Sequence, residues 1–300
     1  MSETTRNIAQ LEEMVLALPV PERDRVARIY HISTTVGRLC PPPEMHAWIE
    51  KYFGSVAAVE AQRIVKVTNL ITLEGALYNA LRASRPMEAK GDPGVAAGIA
   101  KTGDPFCHPE TGTPADVFGR VRGKHCITAS NIAKYDGYHG LVVFQEHNPL
   151  VFSADAVADY VETALTWARK AHNADNAARY FFFMWNGLWR AGASIIHGHA
   201  QMTLSRGIHY ARVEALRRAA LLYRLAHGVS YFDDLVAVHR SLGLAVADGD
   251  VWVLAHLTPV KEKETLLIGP RLDRAMTDAL YRVLSAFVAR LGVQSFNVAV

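Results

Sequence analysis

The chain has 300 residues, half of them apolar and a fifth charged, enough for one large or two moderate hydrophobic cores and too apolar for disorder. Thirty-two Lys and Arg against 29 Asp and Glu leave a formal charge of +3 with no block of like sign, which argues against nucleic acid as a main partner. The densest apolar run, Tyr180–Trp185, is far below the roughly 18 residues of a membrane span, and the polar start lacks a signal-peptide pattern, so a cytoplasmic protein with no membrane partner is expected.

In chain order, residues 1–100 read as a mostly helical N-terminal segment. An amphipathic stretch from Ile8 to Leu18 is followed by a break at Pro19 and Pro21, then by a second helix from Glu22 to about Gly37 that Pro41-Pro42-Pro43 terminates. Met45–Phe53 reads as a short helix, Arg63–Leu70 as a strand, and Leu73–Leu81 fits either state. Ala83–Thr113, rich in Gly, Pro and charge, reads as a loop into a second region.

From there one order of elements occurs twice. Strands at Gly119–Ala129 and Gly140–Gln145 lead to a helix from Ala154 to about His172, the strand Tyr180–Asn186, and a further strand from about Ala193 to Leu204. After a helical connection near Val213–His227, strands at Val251–Leu257 and Thr265–Ile268, a helix over Leu272–Leu291 and a strand at Ser295–Val300 repeat it. Residues 101–206 are thus expected to form a first half and 207–300 a related second half, ending before its last strand. The fold class expected is α+β, a mostly antiparallel sheet from two related halves with helices packed on it. An unfilled edge of that sheet predicts a homodimer.

Three cysteines, Cys40, Cys107 and Cys126, are odd in number and widely spaced, so no disulfide framework is expected, although a single Cys can still bind a metal. The chemistry concentrates in Ser194–Leu204, S-I-I-H-G-H-A-Q-M-T-L. On a strand, His197, His199, Gln201 and Thr203 share one face, with the imidazoles about 7 Å apart at two residues per step. Three chemistries can use such a row. Two His can ligate a metal. One His can be a nucleophile toward phosphorus if its other nitrogen is held by a hydrogen bond. One His can be a general base for water. Gln201 weighs toward phosphorus, because a neutral donor holds a phosphate oxygen without quenching a nucleophile by charge. Gly198 removes a side chain from the opposite face and permits close packing there.

Asn186 followed by Gly192-Ala193-Ser194-Ile195-Ile196-His197-Gly198-His199-Ala200-Gln201 resembles the signature of the histidine-triad superfamily, in its galactose-1-phosphate uridylyltransferase and nucleotide phosphorylase branch. Asp104-Pro105-Phe106-Cys107 looks like the family's Cys-Pro-x-Cys, Asn131 sits where an Asn contacts the nucleoside, His139 to His147-Asn148 resembles the strand ending in a His, and Trp252–Pro270 is similar to the second strand pair. The likeness covers about residues 100–300. It implies a histidine-triad-like fold and a nucleotidyltransferase acting on a nucleotide or nucleotide-sugar substrate of the UDP-hexose and hexose 1-phosphate type. The second His of the motif, His199, would be the nucleophile in a ping-pong transfer. Gln201 and Ser194 would hold phosphate oxygens, with help from Asn186.

The resemblance also implies a structural zinc site from Asp104, Cys107, His147 and His197. Asp104 replaces a family Cys, either completing the site as an oxygen donor or marking one that has lost its metal. Gly198 stands where the transferases usually carry Pro, which leaves open a phosphorylase or hydrolase of a nucleotide sugar or dinucleoside polyphosphate. A non-catalytic nucleotide-binding protein on the same fold is the reading from a different class.

Overall fold

The computed structural model of the chain describes residues 7–84, 99 and 103–300. Eleven strands lie among them: β1 (Tyr30–Arg38), β2 (Ala61–Asn69), β3 (Gly75–Tyr78), β4 (Cys126–Ser130), β5 (His139–Phe144), β6 (Ala178–Gly187), β7 (His199–Arg206), β8 (Ala245–Asp248), β9 (Val251–Ala255), β10 (Thr265–Ile268) and β11 (Phe296–Ala299). They form sheets in the orders β1-β2-β3, β10-β9-β8 and β11-β6-β7-β5-β4, and every neighbouring pair is antiparallel. The architecture is α+β. No helix among the described residues is long and apolar enough to cross a membrane.

Two compact units divide the chain, Met1–Gly91 with Leu216–Ile268, and Asp92–Ala215 with Gly269–Val300. These do not follow the boundaries 1–100, 101–206 and 207–300. The physical reason lies in two returns of the chain. Leu235, Leu242, Leu254 and Leu257 join one core with Leu11, Ile29 and Val65, while β11 comes back to pair with β6. Of the expected Ala83–Thr113 loop, residues 85–98 and 100–102 lie outside the described residues.

In the first unit the helix expected from Glu22 to about Gly37 is shorter. It runs Val20–Ile29, and β1 begins at the next residue. Ile32, Thr34, Thr35 and Val36 supply a β-branched run, whose stiff side chains favour the pleated backbone, and β1 pairs with β2 over its whole length. The N-terminal segment is therefore helices plus a three-stranded sheet. The ambiguous Leu73–Leu81 stretch supplies β3. A helix at Tyr231–Ser241 and strand β8 went unread in the sequence. Asn69 donates to the Tyr231 hydroxyl at 2.8 Å inside this core, satisfying an amide that is 0% exposed.

The second unit is built on the five-stranded sheet. The helix Ala154–Ala174, capped by the Ser153 hydroxyl, buries Tyr160 and Trp167 against one sheet face. Backbone and helix come so close there that a Cβ on Gly140 would sit 2.8 Å from Trp167 Cε2. The Trp167 indole N–H is satisfied by Asp116, 2.6 Å away. Of the strand expected over Gly119–Ala129 only the later part forms, as β4, and the residues before it turn back onto it: Gly119 has φ +82°, and Arg122 bridges Ile127. Similarly, the expected Ala193–Leu204 strand starts only at His199: the Phe144 N–H still donates to the Gly198 carbonyl in register (2.9 Å), but the Gly198 N–H leaves the ladder for the His147 carbonyl (3.0 Å), and the Phe144 carbonyl accepts from His197 Nε2 instead (2.8 Å).

Candidate active site and metal centre

The side chains that carry chemistry lie on the face of the five-stranded sheet opposite the Ala154–Ala174 helix. Register fixes them: His139 of β5 pairs with Thr203 of β7, Leu141 with Gln201, and Val143 with His199. Alternation then puts His199, Gln201 and Thr203 on one face with His139, as expected for those β7 residues. His197 does not share it as a strand residue, since it sits in the bend before β7. Phe106, Ile127, Ala129, Leu141 and Val143 form the apolar floor around them.

Asp104 caps the short 3-10 turn Pro105–Cys107 by accepting from the Phe106 N–H at 2.8 Å. Residues three apart eclipse in such a turn, so Asp104 and Cys107 present their side chains together. Opposite them the His147 and His197 Nδ1 atoms lie 3.0 Å apart. Cys107 Sγ is 3.7 Å from the first and 3.6 Å from the second, and the Asp104 oxygens are 3.8 and 3.7 Å from them. One ligand atom from each of the four residues lies within 4.8 Å of all the others. Bonds of about 2.0–2.3 Å to a tetrahedral zinc would place such atoms about 3.3–3.6 Å apart, so the donor set fits that ion. The donors are also prepared. His197 Nε2–H donates to the Phe144 carbonyl at 2.8 Å, which leaves Nδ1 as the lone-pair atom facing the cluster, and the Gly103 N–H donates to Cys107 Sγ at 3.5 Å.

His199 is 6% exposed, with its ring edge against Phe106 at 5.0 Å. Its Nδ1–H donates to the His197 carbonyl at 2.8 Å, so the lone pair is on Nε2, which has no hydrogen-bond partner among the described residues. Burial holds the His199 imidazole below its usual pKa, toward the neutral form. Gln201 Oε1 is 2.9 Å from His139 Nε2, and Asn131 Nδ2 is 3.1 Å from the same nitrogen. Asn131, His139 and Gln201 thus form one group. On β6, Met184 pairs with Gln201, so Asn186, two residues on, continues along the same face toward His199. Its Oδ1 accepts from Asn297 Nδ2 at 2.7 Å. Ser194 is exposed in the bend.

No family model matches the sequence, and no curated protein does. Solved structures do match. An ADP-glucose phosphorylase from Arabidopsis thaliana, with ADP-glucose bound, superposes with a TM-score of 0.58 at 14% identity, covering 77% of this chain and 79% of that one. A galt-like protein from Arabidopsis thaliana gives 0.53 at 15%, covering 65% and 73%, and a uridylyltransferase gives 0.51 at 17%, covering 77% and 78%. The chain has the histidine-triad-like fold. Within it, sequence reasoning gave no role to two residues that the histidine-triad-like sheet brings to the site. Phe106 was visible only as the spacer between Asp104 and Cys107, yet its ring shields both motif imidazoles. His139 has the same parity as Leu141 and Val143, a clue that needs the β5–β7 register to become legible.

Proposed function

We propose that the chain is a nucleotidyltransferase acting on a nucleoside diphosphate sugar, of the UDP-hexose and hexose 1-phosphate type, through a nucleotidyl intermediate on His199. The observation that carries this reading is the fixed tautomer of His199: with Nδ1–H held by the His197 carbonyl, Nε2 offers its lone pair on the face that Gln201 and Asn186 share.

Nε2 attacks the α-phosphorus, an N–P bond forms, and the P–O bond to the β-phosphate breaks, its electron pair leaving with the sugar 1-phosphate. The ring gains positive charge in that step, which the His197 carbonyl offsets through the Nδ1 proton. Gln201, with Asn186 and Ser194, donates to the phosphate oxygens, and Asn131 lies at the nucleoside end. An oxygen of the acceptor sugar 1-phosphate then attacks the same phosphorus and releases Nε2. A zinc ion held by Asp104, Cys107, His147 and His197 would fix the fold of the motif and supply no group to the reaction.

Gly198 in place of Pro supports a second reading, in which orthophosphate or water is the acceptor. A homodimer through an unpaired sheet edge and a cytoplasmic setting in carbohydrate metabolism belong to the same proposal. Exchange of label between a sugar 1-phosphate and its nucleotide sugar, without a second substrate, is the test. His199→Ala should abolish exchange while nucleotide binding stays within about tenfold, since the other donors remain. Full exchange in that variant, or a nucleotidyl mass on another residue, would overturn the assignment. Label lost to water or orthophosphate would establish the second reading instead.

A further inference from the structure

A carboxamide can donate to a phosphate only if its N–H2 end faces the site. Its two ends are nearly equal in size, so a neighbour must decide which one faces out. For Gln201 that neighbour is His139. The His139 ring is 1% exposed and lies on Tyr135 with ring centroids 3.9 Å apart, so it has no room to turn. Its Nδ1 faces the Tyr135 backbone N–H at 3.4 Å, a group that can only donate, so the proton of the neutral ring sits on Nε2. Nε2–H is in turn 2.9 Å from Gln201 Oε1. The carbonyl end of Gln201 is thereby tied back toward β5 and its N–H2 end is turned outward.

The opposite tautomer fits less well. It would let Nε2 accept from Asn131 Nδ2 at 3.1 Å, and from Gln201 with that amide turned over, but it would set an N–H against the Tyr135 N–H. The Tyr135 donor is backbone and cannot turn aside, whereas the Asn131 amide is a side chain that can.

We propose that His139 is a positioning residue that holds Gln201 with its N–H2 end toward the transferring phosphate, making the carboxamide a dedicated donor. The inference rests on the nucleotidyl-transfer reading for its effect on rate, but the hydrogen-bond polarity stands apart from it. Two measurements keep them distinguishable. The first is nitrogen NMR of the full chain labelled at histidine, which reads the tautomer whether or not the protein is active. An Nε2–H tautomer at His139 is expected; an Nδ1–H tautomer overturns the proposal.

The second is exchange kinetics in variants. His139→Leu, of similar volume and without a donor, should lower kcat about tenfold at nearly unchanged KM, the scale of one oriented hydrogen bond. His139→Gln, which restores an N–H donor, should stay within about threefold of wild type. In a Gln201→Ala background, His139→Leu should have no further effect, because the group it orients is gone. An equal tenfold loss in that background, or no rescue by His139→Gln, would mean that His139 only supports the fold and would overturn the proposal. Should His139→Leu not fold, the Gln variant in both backgrounds and the tautomer decide. A wild-type protein that exchanges no label while showing the Nε2–H tautomer refutes the transfer reading and leaves the polarity assignment standing.

Discussion

Gly198→Ala is a one-carbon change whose cost can be worked from the structure. An added Cβ would lie 2.7 Å from Phe144 Cδ2 and 3.0 Å from the Glu146 carbonyl oxygen. Neither can give way readily. The Phe144 ring is 3% exposed, stacked on Tyr160 with centroids 3.7 Å apart and set edge-on to Trp185 at 5.2 Å. Glu146 O is backbone, next to the His147 carbonyl that the Gly198 N–H already engages at 3.0 Å. Relief must therefore come from residue 198 moving away from β5, which strains both of its hydrogen bonds. Overpacking of this kind costs about 1–3 kcal/mol. The larger effect should fall on activity, since 198 separates the two imidazoles and a displacement of about 1 Å in a catalytic group can cost about a hundredfold. Thermal unfolding and label exchange, measured side by side, test this. An unchanged transition temperature with full exchange would refute the argument that Gly198 is required for close packing.

Cys107→Ser should lower bound zinc, because a hydroxyl replaces the one soft donor of the cluster. Elemental analysis of protein purified without chelator checks it, and wild type lacking zinc would refute the metal assignment. His239, 0% exposed, has its pKa pushed down to about 4 by burial. The unfolded chain takes up that proton first, so the stability it confers is present above about pH 6.5 and is lost as pH falls toward 4, by up to about 3 kcal/mol. His239→Phe should flatten that acid limb in denaturant titrations, and an unaltered pH dependence would show that other groups carry it.

Much of the second unit was legible because its elements are long and periodic. The Ala154–Ala174 helix and β5 and β6 lie close to where apolar spacing put them. The convergence of Asp104, Cys107, His147 and His197 was legible in residue type and order, even though Asp104 and His197 are 93 positions apart in sequence. What failed was local. The Tyr30–Arg38 segment continues a helical pattern on paper, but its pairing with β2 is a tertiary fact that no single stretch encodes. His197 and His199 read as one strand row, yet hydrogen bonds from residues some 50 positions away bend the first of them off it. His139 illustrates a third kind of failure: a lone imidazole in an apolar strand carries no signal until the register shows which amide it faces.

The pairing of β11 with β6 bears on how the chain can fold. Asn297 reaches Asn186 across 111 positions and the Ser295 hydroxyl reaches the Gly187 carbonyl across 108, with Leu216–Ile268, a segment of the other unit, between them. Each unit is thus discontinuous, and neither can be excised as a single stretch of sequence. During synthesis β6 must wait beside an unpaired edge until residues 296–299 emerge, an interval in which the exposed strand invites wrong partners. Loop closure over such a span is slow rather than prohibitive, because its entropic cost grows only with the logarithm of length. The order of assembly, more than the strength of any one contact, is where this topology is exposed to failure.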